Sequence, residues 1–306
     1  MSRRARATTM AAAEPPRRFS ATVDSEPLRV RAGETARAPR RLAEETAIAI
    51  VHNASTYAVM MATPDDVEDF AIGFSLTEGV ISSPADVERL EVVETAFGLE
   101  ARLWLPPELQ SLLTARRRRL AGPTGCGLCG IESLEEAMRP PRLAPTGDLS
   151  VTADDLIAAM TGLARAQALG AATRAAHAAA LWRPAGGLVA VREDVGRHNA
   201  LDKLAGALAR AGETAEGVVL LTSRVSVEMV QKAAAMGANF IAAVSAPTAL
   251  AVRMAEAAGI TLAAVVREDG FEVFSHPRRI VASSPSWPPG ILEHSSILEE
   301  EQRAER

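Results

Sequence analysis

A regular alternation of apolar runs and amphipathic stretches in residues 149–282 constrains the fold more than any other feature. Short apolar runs with β-branched residues are typical of strands, and the longer stretches between them are typical of helices. Glycine follows three of the helical stretches, as expected for a helix that stops in the left-handed conformation. The predicted strands are Ala178–Trp182, Gly187–Arg192, Gly217–Thr222, Asn239–Val244, Ile260–Val266 and Phe271–Ser275, and the predicted helices are Val151–Leu169, Asn199–Ala211, Ser226–Met236 and Thr248–Ala258. This order predicts an α/β layered domain with a largely parallel sheet.

A smaller α+β unit is predicted for residues 26–113. Its expected elements are two strands, a helix that opens at residues 63–66 and stops at Gly79, and a hairpin pair. The predicted strands are Thr46–His52, Thr56–Thr63, Leu90–Thr95 and Ala101–Leu105. We expect residues 1–25 to be a disordered tail, 114–148 a linker and 283–306 a second tail.

Composition excludes several classes of protein. Apolar residues make up 48% of the chain, yet no run of 18 or more of them occurs, so no membrane span is expected. The net charge of −5 argues against a general nucleic-acid binder. The basic start is not followed by an apolar segment, so we expect no export signal. The cysteine usage fits a reducing cytoplasm.

The two cysteines of the chain, Cys126 and Cys129, form a C-x-x-C motif surrounded by glycine. Three kinds of site use such a motif. A structural zinc site needs about four ligands, and the chain has no second C-x-x-C. A dithiol oxidoreductase usually carries the motif where a helix opens after the first strands. A persulfide carrier needs one exposed, nucleophilic thiolate that is free to move, which a glycine-rich loop would provide.

Polar side chains follow the predicted strands of the C-terminal domain. Four arginines are among them, and acidic residues accompany them at Glu193 and Asp194. Ligands of open parallel sheets bind at the carboxyl ends of the strands, where helix N-termini favour anions. The four arginines are Arg192, Arg197, Arg224 and Arg267. We therefore predict a pocket for an anion such as a nucleotide or a phosphorylated cofactor.

Five blocks of the sequence resemble one known family. They are GCGLCG at 125–130, REDVGRHNALDK at 192–203, RVSVEMVQK at 224–232, SAPTALA at 245–251 and SHPR at 275–278. With these blocks the chain resembles the formate dehydrogenase accessory sulfurtransferases (FdhD/NarQ) from about residue 40 to residue 282. The twelve-residue block together with the cysteine loop carries most of the specificity.

The resemblance implies a function. Members take sulfur from a cysteine desulfurase as a persulfide and deliver it to the molybdenum or tungsten bis(guanine dinucleotide) cofactor that formate dehydrogenase requires. Cys126 is then expected to carry the persulfide, and Cys129 to resolve it or assist transfer. The resemblance also implies a cytidine-deaminase-like three-layer α/β/α core and a homodimer.

The cofactor, including its guanine nucleotide portion, is expected to contact two sets of residues. The resemblance supplies the segment Val265, Val266, Arg267, Glu268, Asp269 and Gly270. The strand-end pattern adds Arg224, Arg192 and Arg197. His177 enters a predicted strand, and the sequence fits a core histidine and a site histidine equally well there. We predict no metal ligands in the protein, because the H-x-E and P-C-x-x-C signatures of the zinc deaminases are absent. A chaperone that only holds the cofactor and hands it to the apoenzyme is the alternative function.

Overall fold

The computed structural model describes residues 19–109 and 141–281. The first elements are four short strands that form an antiparallel ribbon: β1 (Thr22–Ser25), β2 (Leu28–Arg31), β3 (Glu34–Arg37) and β4 (Arg40–Ala43). β1 pairs with β4 and β2 with β3. At the tip, Ala32 and Gly33 both have positive φ values, 49° and 85°, as a type I′ turn requires. Residues 22–25, expected to end a disordered tail, are therefore ordered by strand pairing.

A four-stranded sheet forms the rest of the N-terminal unit. Its strands are β5 (Thr46–His52), β6 (Ser55–Ala62), β7 (Arg89–Glu94) and β8 (Leu99–Trp104), in the order β6-β5-β8-β7. Helix α1 (Val67–Thr77) lies across one face and buries Phe70 against Ile48 and Ile50. The predicted strands and helix are confirmed here to within a few residues.

A six-stranded mixed sheet forms the centre of the C-terminal domain. Its strands are β10 (His177–Arg183), β11 (Gly187–Asp194), β12 (Val218–Leu221), β13 (Phe240–Ala243), β14 (Thr261–Arg267) and β15 (Gly270–Ser275), in the order β11-β10-β12-β13-β14-β15. β9 (Val151–Thr152) and β16 (Ile280–Val281) pair separately. Only β12, β13 and β14 are mutually parallel. The prediction of a largely parallel sheet is therefore wrong, because β10–β11 and β14–β15 are joined by short turns that allow only antiparallel pairing.

Helices cover both faces of this sheet, which confirms the predicted three-layer α/β/α arrangement. They are α2 (Ala153–Ala166), α3 (Ala168–Thr173), α4 (Arg197–Arg210), α5 (Val227–Ala235) and α6 (Ala249–Ala258). α2 packs on one face, and α4, α5 and α6 pack on the other. Within residues 19–109 and 141–281, no helix combines the length and apolar character needed to span a bilayer.

Two glycines allow α1 and α4 to pack in direct backbone contact. A Cβ atom on Gly73 would lie 1.7 Å from the carbonyl oxygen of Asp202, and one on Gly206 would lie 1.8 Å from that of Asp69. Real Cβ atoms do not approach backbone oxygen so closely, so only glycine fits at these crossing positions. The N-terminal unit is thereby held tightly against the C-terminal domain.

Two buried lysines strengthen the same junction. Lys203 is fully buried, with its Nζ 2.7 Å from the Asp194 carboxylate and 2.8 Å from the Thr63 carbonyl oxygen to which it donates. Lys232 donates to both carboxylate oxygens of Asp202 and to the Thr77 hydroxyl at the end of α1. The end of β6 and the end of α1 are thus fixed beside the second turns of α4 and α5.

Candidate functional site

One edge of the six-stranded sheet gathers the predicted site residues. β10 runs antiparallel to both β11 and β12, so the start of β10 lies level with the ends of its neighbours. His177 at that start is the register partner of Asp194 at the end of β11. The loops that follow β12 and β13 also meet, where Val225 bridges to Pro247. The convergence expected from the sequence is therefore present, although the sheet is mixed.

The three polar residues at the end of β11 are engaged in holding the fold. Arg192 donates to the Asp69 carboxylate of α1 at 2.6 Å. The Glu193 carboxylate accepts the amide N–H groups of Leu169 and Gly170, both at 2.8 Å, at the start of α3. Asp194, besides its pairing with Lys203, accepts the Thr63 amide at 2.9 Å. Sequence alone left open whether Glu193 and Asp194 only cap helices, and the structure gives both a backbone-holding role.

The other three predicted arginines lie around the edge in different settings. Arg224 is exposed in the loop after β12. Arg267 ends β14, and its Nη1 donates to the carbonyl oxygens of Val244 at 2.5 Å and Val266 at 2.8 Å. Arg197 begins α4, and its buried Nε has no partner within the described residues. Among residues 19–109 and 141–281, no carboxylate forms an ion pair with these three guanidinium groups, whereas Asp69 pairs with Arg192.

The predicted cofactor segment contains a strained bulge. Val265 has a φ of 55°, a conformation that is rare for a β-branched residue. One extra residue lies on β14 between the pairs Ala264–Glu272 and Arg267–Gly270. Such strain costs on the order of 1–3 kcal/mol and, like bulges, is concentrated at functional sites. Arg267, Glu268 and Asp269 follow directly and are exposed.

Two further polar residues at the same edge, Ser226 and Glu228, were not proposed as site residues from sequence, and His198 belongs to the polar group that follows β11. His198 stands in the first turn of α4, and Ser226 and Glu228 stand at the start of α5. Each has a buried side-chain atom without a partner among the described residues, namely His198 Nε2, Ser226 Oγ and Glu228 Oε2. The sequence carries no specific signal for Ser226 or Glu228, because serine and glutamate are common at the start of any helix.

Two histidines at the edge have lowered pKa values. Burial, reinforced by the Arg197 and Lys232 charges, lowers the pKa of His198 to about 4 against the opposing effect of Glu228. Burial and Arg197 also lower the pKa of His177, although Asp194 acts in the opposite sense. Both imidazoles are therefore expected to be neutral at pH 7. The predicted catalytic residues Cys126 and Cys129 lie outside the described residues, as do most of the linker and the tail at 283–306.

The family model described as the FdhD/NarQ family matches residues 43–281. The chain belongs to the FdhD/NarQ family. The match spans the four-stranded sheet of the N-terminal unit and the whole of the six-stranded sheet, and it begins at the last residue of β4. The resemblance read from the five sequence blocks is therefore confirmed.

Two sequence relatives and one solved structure each match this FdhD/NarQ chain over most of its length. The "Sulfur carrier protein FdhD" of Agrobacterium fabrum is 51% identical over 253 residues, covering 82% of this chain and 93% of the relative. The protein of the same name from Cupriavidus necator is 52% identical over 270 residues, covering 88% and 92%. A crystal structure described as that of a formate dehydrogenase accessory protein from Desulfotalea psychrophila has a TM-score of 0.67 at 25% identity, covering 85% of this chain and 99% of that one.

Proposed function

We propose that this chain is a sulfur carrier in the maturation of formate dehydrogenase. The observation that carries the proposal is the 51% identity, over four-fifths of the chain, to a protein named as a sulfur carrier. Sulfur carriage is also the chemistry for which a glycine-flanked pair of thiols is suited. The proposed client is the catalytic subunit of formate dehydrogenase.

In the proposed reaction, the Cys126 thiolate attacks the outer sulfur of a persulfide on a cysteine desulfurase. The S–S bond of the donor breaks, the desulfurase leaves as its cysteine thiolate, and Cys126 holds the sulfane sulfur as a persulfide. A thiolate is the attacking species, so the cysteine must be accessible and at least partly deprotonated. Cys129 is close enough in sequence to resolve the persulfide or to assist its transfer. We propose that the acceptor is the molybdenum or tungsten bis(guanine dinucleotide) cofactor, which is the substrate of this sulfurtransferase step.

The sheet edge supplies features suited to such a substrate. Arg197, Arg224 and Arg267 can meet phosphate groups, and the N-termini of α4 and α5 favour anions. The strained bulge at Val265 sets the direction of the segment up to Gly270, which the family resemblance assigns to the cofactor. Arg192 fits less well as a direct ligand, because Asp69 already holds its guanidinium. We propose that the protein works as a homodimer in the cytoplasm.

The test is formate dehydrogenase activity in cells whose only copy of this protein carries Cys126→Ala. We expect activity to be lost while the protein remains soluble and folded. Cys129→Ala is the matched control, because it removes a thiol from the same loop and should cause a smaller loss. Normal activity with Cys126→Ala would contradict the carrier role and favour the alternative, a chaperone that holds the cofactor without handling sulfur.

A further inference from the structure

The antiparallel ribbon β1–β4 has an outer half that no other part of the described chain covers. Every residue of β2 and β3 is exposed, and within residues 19–109 and 141–281 these two strands pair only with each other. The base of the ribbon is attached to the protein, since Arg40 Nη2 donates to the Thr173 carbonyl oxygen of α3 at 3.2 Å. A two-stranded ribbon is marginally stable in water by itself. The outer half, residues 28–37, is therefore suited to being covered by a partner.

The exposed side chains of this outer half define the chemistry of that partner. Leu28 is 61% exposed and Val30 is 67% exposed, and their alternate spacing places both on one face. Arg37 is the register partner of Leu28 and lies on the same face. Arg29 and Arg31, on the other face, form no ion pair within residues 19–109 and 141–281.

The ribbon is basic in an acidic protein. Residues 28–41 contain five arginines and one glutamate, which gives a charge of +4, whereas the whole chain has a net charge of −5. Complementary charges on two surfaces favour their association and fix which surfaces meet. The ribbon therefore fits a partner that combines carboxylates with apolar side chains.

A segment of the same chain has this chemistry. We call residues 291–302 the acidic tail segment. It has two Ile–Leu pairs and four glutamates and contains no lysine or arginine; these residues are Ile291, Leu292, Glu293, Ile297, Leu298, Glu299, Glu300 and Glu301. Neither the proposed sulfur chemistry nor the candidate site at the sheet edge uses this segment.

The acidic tail segment can reach the ribbon within one chain. β16, the last described strand, pairs with β9, and β9 leads directly into α2. α2 has 14 residues and α3 has 6, so the distance from the end of β16 to Thr173 is no longer than about 35 Å. Residues 282–290 include three prolines and span up to about 28 Å when extended. The segment itself adds up to about 40 Å of reach.

We infer that the acidic tail segment docks on the outer half of the ribbon in the same chain. Its Ile–Leu pairs cover Leu28 and Val30, and its glutamates face the ribbon arginines. Docking removes the two exposed apolar side chains from water and brings opposite charges together. It also covers strand edges that otherwise present unpaired N–H and C=O groups to other proteins.

Disulfide trapping in the full-length protein tests the docking. Val30→Cys is combined with Ile297→Cys in a chain whose Cys126 and Cys129 are replaced by alanine, and a mild oxidant forms the disulfide. The matched control replaces Val59 of β6, which is 57% exposed, in place of Val30. We expect the 30–297 disulfide to form at least tenfold faster than the 59–297 disulfide and to lie within one chain.

Charge reversal tests whether the arginines hold the acidic tail segment. Arg31→Glu with Arg37→Glu should slow the 30–297 disulfide to the rate of the control pair. Adding Glu299→Arg and Glu300→Arg should restore the fast rate, because the charges are then complementary again. Restoration also shows that the ribbon variant is folded. Salt at about 0.5 M should slow the 30–297 disulfide and leave the control rate unchanged.

Three results would overturn the inference. Equal rates for the two cysteine pairs would mean that the segment meets the ribbon only by random collision. A disulfide between two chains would assign the segment to the ribbon of a second copy. Rates that do not respond to charge reversal would remove the basis for recognition. Because both native thiols are absent from the tested protein, the outcome is independent of the sulfur-carrier proposal.

Discussion

At the scale of single residues, buried charged side chains constrain the junction between the two units most strongly. Lys203 is fully buried and bonded to Asp194 and to the Thr63 carbonyl oxygen, so its charge is compensated only within this arrangement. A buried ion pair adds little net stability over an apolar replacement of both members, but the loss of one member leaves the other uncompensated. The junction between the two units is therefore sensitive to single substitutions.

We expect Lys203→Met to lower the free energy of unfolding by about 3 kcal/mol or more, because Asp194 would remain buried without its cation. Urea denaturation followed by circular dichroism measures the effect. Arg41→Met is the matched control, since Arg41 pairs with Asp24 at 3.4 Å in an exposed position. The control should change stability by no more than about 0.5 kcal/mol. Similar losses in the two variants would contradict this account of the junction.

His198 makes stability depend on pH. Its pKa is about 4 in the folded protein against an ordinary value of 6.5, so between these pH values the unfolded chain binds more protons. The contribution of neutral His198 is therefore fully present above pH 6.5 and is lost as pH falls towards 4. The loss should approach roughly 3 kcal/mol.

Denaturation at pH 4.5, 5.5, 6.5 and 7.5, chosen as roughly even steps across this window, should show a shallower decline for His198→Gln than for the wild-type protein. Burial also lowers the pKa of His177, but its contribution is the same in both proteins and cancels in the comparison. Parallel declines in the two proteins would mean that His198 does not titrate as the structure implies.

At the scale of elements, the contact between α1 and α4 depends on Gly73 and Gly206. Substitution by alanine at either position places a methyl group where a backbone oxygen of the other helix lies. The two helices would have to separate, which disturbs the buried lysine networks beside them. Packing at this crossing is therefore decided by backbone shape and not by side-chain hydrophobicity.

We expect Gly206→Ala to destabilise the protein by about 3 kcal/mol or more, at the upper end of overpacking effects. Gly162→Ala in α2 is the matched control, because the nearest atom to its new Cβ would be 3.9 Å away. Removal of a helical glycine there should be neutral or stabilise by up to about 1 kcal/mol. Thermal unfolding of both variants provides the measurement, and a tolerated Gly206→Ala would contradict the close crossing.

The elements that sequence predicted well are those with a buried face and a defined end. The helix predicted from Val151 begins as α2 at Ala153, where the Thr152 hydroxyl accepts the Asp155 amide N–H at 3.1 Å. The ribbon β1–β4 gave no comparable signal, because its strands are exposed almost throughout and rich in arginine. The ribbon is ordered by hydrogen bonding between its antiparallel strands, and amino-acid composition does not reveal this pairing. The parallel sheet was wrongly expected because strand–helix alternation does not report that β10–β11 and β14–β15 are hairpins.

The candidate site also has a part that the sequence predicts and a part that it does not. Strand-end residues could be assigned to one edge of the sheet, because the backbone brings the ends of neighbouring strands together there regardless of side-chain identity. The partners of those side chains could not be assigned, since Asp69, which holds Arg192, comes from helix α1 in a distant part of the sequence. Glu228 was missed for the same reason, because its unsatisfied oxygen is a property of the folded arrangement.

At the scale of the whole molecule, the N-terminal unit, the cysteine-containing linker and the six-stranded sheet have separate proposed tasks. The N-terminal unit is joined to α4 and α5 through the two buried lysines. The sheet edge offers the exposed Arg224 and Arg267 and the Val265 bulge. The linker carries Cys126 and Cys129, which supply the sulfur chemistry. In the proposed mechanism, only the linker handles sulfur, and the edge holds the acceptor.

The most direct test of this account is mass spectrometry of the purified protein after incubation with a cysteine desulfurase and cysteine. We predict a mass gain of one sulfur atom, located by peptide mapping on Cys126 and removed by a thiol reductant. Cys129→Ala should still gain the sulfur, and Cys126→Ala should not. An unchanged wild-type mass, or an equal gain in Cys126→Ala, would contradict the claim that this protein carries sulfur on Cys126.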